Sequence, residues 1–447
     1  MDSIKTWLEE NNIEEVQCIT CDHTGIPRGK ILPVKTFIQD EGFRIPEAIM
    51  LQAACGDLID DDLLFTLIDE RDIDMVLTPD ANACYILPWT KKPTAMIIHD
   101  CFDQQGKPFQ LSARTILKKV IDLYAQKNLK AVVAPEMELY LTKINADSNL
   151  PLEVPTGRSG YAERGRQSFG IDSITEFSEY IDDVYAWAKQ LGLKLETVVH
   201  EEGRAQFEFN FMHGEPLSLA DQVFMFKRMV KEAAIKHGFS ATFMAKPMVD
   251  QPGNAMHIHQ SLVDASTGEN IFANEQGDTA AFHHYIAGLQ KYIPEMMPIF
   301  APNINSYKRF VAGLAAPVNL DWGIENRTVG LRIPNSPTQA RRVENRLPGA
   351  DTNPYLAIAA TLLCGFIGME EKIKPSQEKM GKENEQCASD MPLNINDAIS
   401  RMENSEKVKY YLGELFVKGF IETRKADHEN YKNVISSWER HFLLTTV

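Results

Sequence analysis

The chain has 447 residues, 44% of them hydrophobic, which excludes a disordered polymer and supplies enough apolar material for a large core and two domains. Lysine and arginine total 46 against 62 aspartate and glutamate, a formal net charge of −16. That balance argues against a binder of nucleic-acid backbone and permits cationic partners.

The opening MDSIKTWLEENNIEEV reads as an acidic amphipathic helix without the basic region and apolar stretch of a secretory signal, so a cytoplasmic location is expected. Short strand-like runs follow in VQCITCD, CYILPW and TAMIIHDC. Cys18 and Cys21 form a CxxC pair, but no second pair or nearby histidine completes a zinc set, and the scattered cysteines suit reduced thiols. The turn-rich DQQGKP, Asp103 to Pro108, marks the expected boundary between a domain over 1–103 and one over 104–447. A helix then follows in SARTILKKVIDLYAQKN, with Ser112 as its cap. Beyond it strands alternate with helices such as SITEFSEYIDDVYAWAKQLG and SLADQVFMFKRMVKEAAIKHG. The Gly/Arg-rich stretch Gly157 to Gly170 lacks the spacing of a nucleotide fingerprint and reads as a mobile surface loop. The apolar run Tyr355 to Met369 is short for a bilayer span and reads as a buried helix.

Several strand-like segments carry charge on one face only. In HEEGRAQFEFNF, Phe207, Phe209 and Phe211 alternate with Gln206, Glu208 and Asn210, and Glu201 stands shortly before. In VVAPEMELYL, Glu136 and Glu138 share a face opposite Met137 and Leu139. His257 and His259 do the same in NAMHIHQSL, Arg332 stands between Leu331 and Ile333, and Arg342, Glu344 and Arg346 alternate in ARRVENRLP. Each fragment alone fits a solvated face. Together in one sheet they would converge, and carboxylates at 136, 138, 201, 208 and 344 would repel unless cations compensate them. Oxygens with one imidazole suit Mg²⁺ or Mn²⁺. With arginines at 309, 327, 332, 342 and 346, such ions make a polyphosphate site, and the chemistry implied is phosphoryl transfer.

These motifs resemble those of the class I glutamine synthetase family, in its order and across nearly the whole chain. PEMELYL resembles the family's Glu-x-Glu strand, HEEGRAQFEF its His-Glu and Gln-x-Glu segment, and KPMVDQPGNAMHIHQSL its Met-His-x-His segment; NSYKRF, NRTVGLRIP and ARRVENRLPGADTNPYLAIAA follow. The resemblance implies an α+β fold: an N-terminal β-grasp-like domain and a catalytic domain whose curved antiparallel sheet is flanked by helices. It also implies active sites shared between adjacent subunits of a homo-oligomer of stacked hexameric rings. Carried over by motif, Glu138, Glu201 and Glu208 would hold one metal, and Glu136, His257 and Glu344 the other. Arg332 and Arg342 would contact ATP phosphates, with His259 and Ser261 near the nucleotide. Arg309 would take the α-carboxylate of L-glutamate and Gly253 would line its pocket, while Arg327 and Arg346 would meet the phosphoryl group in transfer. The implied reaction phosphorylates the γ-carboxylate of glutamate with ATP, after which an amine displaces phosphate.

Departures from the pattern bear on the amine. Ammonia-using members carry a Gly-x-Glu-x-Pro flap after Tyr-Lys-Arg; here YKRFVAGLAAPVN puts Ala315 at the Glu position. The N-terminal Asp-Gly-Ser-Ser motif is absent too. A desolvated ammonium needs paired charge, so these losses favour a bulkier primary amine. DQPGNAMHIHQS, with Pro252 where Asn is expected, and the ending VISSWERHFLL resemble the γ-glutamylputrescine synthetase branch. The acidic segment 57–74 could hold the distal ammonium of a putrescine-like amine, or be a solvated surface. Gln339 stands near the place of a family lysine, and Ser389 in CASDMP replaces the Tyr that is modified in adenylylated members. An ammonia-dependent glutamine synthetase, a ligase for a monoamine or aromatic amine, and a non-catalytic assembly stay open as alternatives.

Overall fold

The computed structural model describes residues 1–311, 315–381 and 390–447. Its first sheet comprises β1 (Glu15–Cys21), β2 (Pro27–Pro33), β3 (Phe43–Pro46), β4 (Asp74–Ile86) and β5 (Thr94–Phe102), in the order β2-β1-β5-β4-β3. β1 runs antiparallel to β2 and parallel to β5, the mixed centre of a β-grasp-like sheet. Within TAMIIHDC the run AMII is continuously apolar because both faces of β5 are covered. Ala95 and Ile97 join Val16, Phe37 and Met75 in one core; Met96 and Ile98 point the other way, into the main core. The same alternation separates the CxxC pair, for Cys18 faces the first core and Cys21 the second, and both thiols are free.

The turn after β5 closes through a hydrogen bond from Asp103 N–H to Lys107 C=O at 2.9 Å. The helix Ala113–Ala125 follows, with Ser112 Oγ accepting from Thr115 N–H as its cap. In its first turn Arg114 is almost fully buried between Asp80 of β4 at 2.7 Å, Asp100 of β5, and Asp221 of the helix Pro216–Lys236 at 2.9 Å. Burial opposes its charge, but these carboxylates outweigh that cost and keep the guanidinium protonated.

The larger sheet comprises β6 (Leu129–Lys143), β7 (Leu195–His200), β8 (Gln206–Phe211), β9 (Phe239–Thr242) and β10 (Met256–Asp264). After a short hairpin of β11 (Ala273–Asn274) and β12 (Gly277–Asp278) it is completed by β13 (Trp322–Ile324), β14 (Leu331–Ile333) and β15 (Val343–Asn345). The order is β13-β14-β15-β10-β6-β8-β7, with β9 against the end of β6. The sheet is antiparallel, as expected, apart from one edge, where β13 and β14 are parallel. Glu325, left-handed at φ 52°, follows β13, and its N–H donates to Ile333 C=O of β14 at 2.9 Å.

The segment expected as a single helix from Ser173 forms two, Ile171–Thr175 and Ser178–Leu191. They part at Phe177, which leaves helical geometry at φ −116°, ψ 25° to pack its ring edge-on against Phe207 and Phe239. The apolar run is the helix Pro354–Glu371, whose residues from Pro354 to Gly368 are buried in the main core. Asn353 caps it, accepting from the N–H groups of Tyr355 and Leu356.

Candidate active site

The charged faces do share one sheet. In β6, Met137 and Leu139 are buried in the core, which turns Glu136 and Glu138 to the other side. In β8, Phe207, Phe209 and Phe211 anchor the strand and present Gln206, Glu208 and Asn210 on the face of the glutamates. Each ring contributes on the order of 2–3 kcal/mol by burial, which helps offset the desolvation of the carboxylates above. Register then aligns the groups: Glu138 opposite Glu208, Glu136 opposite His257, and Glu344 opposite both His259 and Arg332.

One oxygen each of Glu138, Glu201 and Glu208 lies within 4.8 Å of the others. Burial, then the Glu201 carboxylate, pushes Glu138 up to about 8; burial and the Glu136, Glu138 and Glu201 charges push Glu208 well above the carboxylate range. Glu201 is raised as well, chiefly by burial. Three closely spaced carboxylates that repel one another, two of them buried, suit a hard divalent cation, so the donor set fits Mg²⁺ or Mn²⁺.

Glu136 behaves oppositely. Burial would raise it, but hydrogen bonds from His257 and His259 hold it below the usual range. His257 Nδ1 lies 3.3 Å from Glu136 Oε2 and 3.6 Å from Glu344 Oε1. His259 Nε2 is 3.0 Å from Glu136 Oε1, and Arg342 Nε–H donates to its Nδ1 at 3.2 Å, so the ring carries its proton on Nε2. His259 thus stands beside Glu136, His257 and Glu344 as a hydrogen-bond partner; ligand atoms of Glu136, Glu208 and His257 lie within 4.8 Å of one another. Glu344 accepts from Arg332 at 2.7 Å and faces Arg346 Nε at 3.2 Å. Burial opposes its ionisation, and the histidines and Arg346 prevail in lowering its pKa.

Two cavities meet at Glu136 and Asn210. One, of about 300 Å³, is lined by His259, Ser261, Arg342 and Gln339. The other, of about 260 Å³, takes Glu136, Glu138, Glu201, Glu208, His257, Glu344, Gly253, Arg309, Arg327, Arg332 and Arg346. Gly253 is tight: a Cβ there would meet Ala245 O at 2.5 Å and Arg309 Cγ at 2.6 Å. Arg309 is buried, which lowers its pKa to about 10, and its terminal nitrogens donate to Leu347 C=O at 2.6 Å and Arg346 C=O at 2.9 Å. Each of these nitrogens keeps a second N–H. Arg346 in turn donates to the Arg327 carbonyl.

Ala315 and Pro252 line the second cavity, so both departures from the family pattern stand in its wall. Ser389 lies outside the described residues. The Gly/Arg-rich stretch lies mostly at the surface, as expected of a loop, yet its Glu163 accepts from His200 at 3.0 Å and from Ala205 N–H at 2.8 Å, and Phe169 reaches the second cavity. Gln206 was not among the expected site residues. Its Nε2 donates to Glu138 Oε2 at 3.2 Å, to Gly253 C=O at 3.0 Å and to Asn254 Oδ1 at 3.0 Å. Asn210, likewise, donates to Glu136 at 3.1 Å and Glu208 at 3.2 Å. Alternation along β8 puts both on the named face; only their lack of charge hid them.

Comparison with known proteins gives a consistent picture. Residues 110–443 match the family described as the catalytic domain of glutamine synthetase. The chain is 32% identical over 446 residues to a glutamate–isopropylamine ligase of a Pseudomonas species, covering 98% of this chain and 96% of that one. It is 33% identical over 424 residues to a glutamine synthetase of Pyrococcus abyssi, covering 93% and 90%. It is 30% identical over 452 residues to the γ-glutamylputrescine synthetase PuuA of Escherichia coli, covering 99% and 94%. A solved structure of GmaS without ligand superposes with a TM-score of 0.83 at 27% identity, covering 100% of both chains.

Proposed function

The chain belongs to the glutamine synthetase family and is an ATP-dependent carbon–nitrogen ligase, and from that premise we propose that it joins the γ-carboxylate of L-glutamate to putrescine or another polyamine. In this reading ATP transfers its terminal phosphoryl group to the γ-carboxylate, giving γ-glutamyl phosphate and ADP. The amine nitrogen then attacks the acyl carbon, the C–O bond to phosphate breaks, and the nitrogen sheds its extra proton to leave an amide.

Each step assigns work to residues that line the two cavities. Arg309 holds the α-carboxylate with the N–H groups its backbone partners leave over, beside Gly253. Arg332 and Arg342 hold phosphate oxygens, with His259 and Ser261 beside the nucleotide, and Arg327 and Arg346 meet the phosphoryl group in flight. Glu138, Glu201 and Glu208, and likewise Glu136, His257 and Glu344, are the sets that would each hold Mg²⁺ or Mn²⁺. Bound there, such ions supply positive charge against phosphate oxygens and hold the carboxylates ionised.

The observation that carries the acceptor assignment is Ala315 in the cavity wall, where a carboxylate would favour a small cation. The reading also places the chain in stacked hexameric rings, with the acidic 57–74 segment of one subunit against its neighbour's cavity. Ammonium is the competing acceptor, since relatives named glutamine synthetase are as similar to the chain as the amine ligases. The test is phosphate release from ATP with Mg²⁺ and glutamate, supplying putrescine, spermidine, ethylamine, isopropylamine, histamine and ammonium separately, with product masses. Fastest turnover on a diamine or polyamine supports the proposal; fastest turnover on ammonium or a monoamine overturns it.

A further inference from the structure

Near the end of the Gly/Arg-rich stretch stands Phe169, a residue 68% exposed that lines the cavity holding Glu138, Glu201 and Arg309. Its backbone is left-handed, at φ 59°, a conformation that a bulky residue adopts only when its surroundings impose it. What imposes it is a hydrogen bond from Phe169 N–H to His200 C=O at 2.8 Å. The same segment grips the His200 ring at both nitrogens: Nδ1 lies 3.0 Å from Gln167 C=O and Nε2 lies 3.0 Å from Glu163 Oε2. Glu163 Oε2 also accepts from Ala205 N–H at 2.8 Å, and its Oε1 from Ser173 Oγ at 2.7 Å. One carboxylate thereby joins its own loop, the 200–205 turn that bears Glu201, and the short helix Ile171–Thr175. With its side chain 14% exposed and the fully buried His200 as partner, it is not a solvated surface charge.

We propose that Glu163 is a positioning residue for the acceptor side of the site: through His200 and Ala205 it fixes the loop against the Glu201 turn, so that Phe169 stands over the cavity as an aromatic wall for the incoming amine. A ring in that place offers its face to an alkylammonium and its edge to the carbons attached to it. The inference rests on the ligase reading but not on the identity of the amine, because any carbon-bearing amine would meet the ring.

The test compares wild type with Glu163→Ala, Glu163→Gln and Phe169→Ala, using the amine that wild type turns over fastest. Hydrogen exchange is followed in parallel over peptides covering 163–170 and 200–206. In Glu163→Ala and Phe169→Ala the KM for the amine is expected to rise about tenfold, with the KM for ATP unmoved, as fits loss of one oriented aromatic contact. Exchange in both peptides quickens in Glu163→Ala, and Glu163→Gln recovers part of each effect because its amide oxygen still accepts from Ala205 N–H. An unchanged KM for the amine, or KM values for ATP and amine rising together, overturns the proposal. If wild type releases no phosphate with any amine, it is the ligase reading that fails. Exchange then judges Glu163 alone: faster exchange in Glu163→Ala upholds its hold on the loop, and unchanged exchange removes it.

Discussion

Glu138 and Glu208 stand directly opposite each other on β6 and β8, two buried carboxyls whose pKa values are both raised. Side by side without a cation they repel across a low-dielectric gap. Glu208→Gln is therefore expected to stabilise the metal-free protein by about 1–3 kcal/mol. Mg²⁺ or Mn²⁺ should raise the Tm of wild type and do much less for the variant, and Glu208→Ala should leave an assembled protein with little ligase activity. Thermal unfolding with and without metal checks this; an equal metal-induced rise in both proteins would remove Glu208 from the metal set.

The acidic segment 57–74 divides by what its members already do. Asp60 Oδ1 accepts from Asp62 N–H at 3.0 Å and caps the helix Asp61–Leu67, and Asp69 pairs with Arg71 at 2.8 Å. Removing the Asp60 cap would cost roughly 1 kcal/mol of stability for reasons unconnected with substrate. Asp61→Asn with Asp62→Asn leaves that cap in place. This double variant is expected to raise KM for putrescine or spermidine about tenfold, the worth of one charge pair, and to spare a monoamine of similar length. Equal effects on both amines would make the segment a solvated surface.

Ala315→Glu restores a carboxylate to the wall of the second cavity. The expected outcome is a shift of preference: kcat/KM for ammonium rises and that for a bulky amine falls, each by about an order of magnitude. Competition between the two amines, read by product mass, measures the ratio directly. A uniform loss with both amines would show that position 315 does not select the acceptor.

His23 and His99 are buried, and burial lowers both pKa values from 6.5 to about 4. Above pH 6.5 they are neutral in the folded and unfolded chain and contribute no pH dependence. Below it the unfolded chain takes up protons that the folded chain refuses, so stability falls until the pH passes about 4. The full loss is on the order of 3 kcal/mol per histidine. His23 lies with its Nε2 2.7 Å from Leu111 C=O and its ring edge-on to Phe416. His23→Gln should flatten the decline of Tm between pH 6.5 and 4; a slope unchanged from wild type would refute the assignment.

The carboxylate-bearing face was legible in the sequence because a strand's period of two names the side on which each residue lies, and apolar neighbours such as Met137 and Phe207 identify the opposite side as core. The roles of Glu163 and Phe169 were not legible, because a loop has no period and their partner, His200, is remote in sequence. The break at Phe177 was hidden for a related reason: its ring fits helical spacing equally well, and only contact with Phe207 and Phe239 draws the backbone out of the helix. The parallel pairing of β13 and β14, joined by the link 325–330 in which Glu325 is left-handed, is likewise announced by no pattern of polarity.

Arg114 joins the two sheets across the turn that follows β5. Asp80 and Asp100 reach it from the small sheet, while Asp221 reaches it from the long helix behind the large one. Cutting the chain at that turn would leave two aspartates without their cation and expose the flank of β5 that carries Met96 and Ile98. Exchange of either part between relatives would succeed only if the donor brought a matching arginine and matching aspartates in the same event. Natural recombination should accordingly pass over this turn despite its exposed, glycine-containing sequence, and descent should carry the small sheet and the ligase body together.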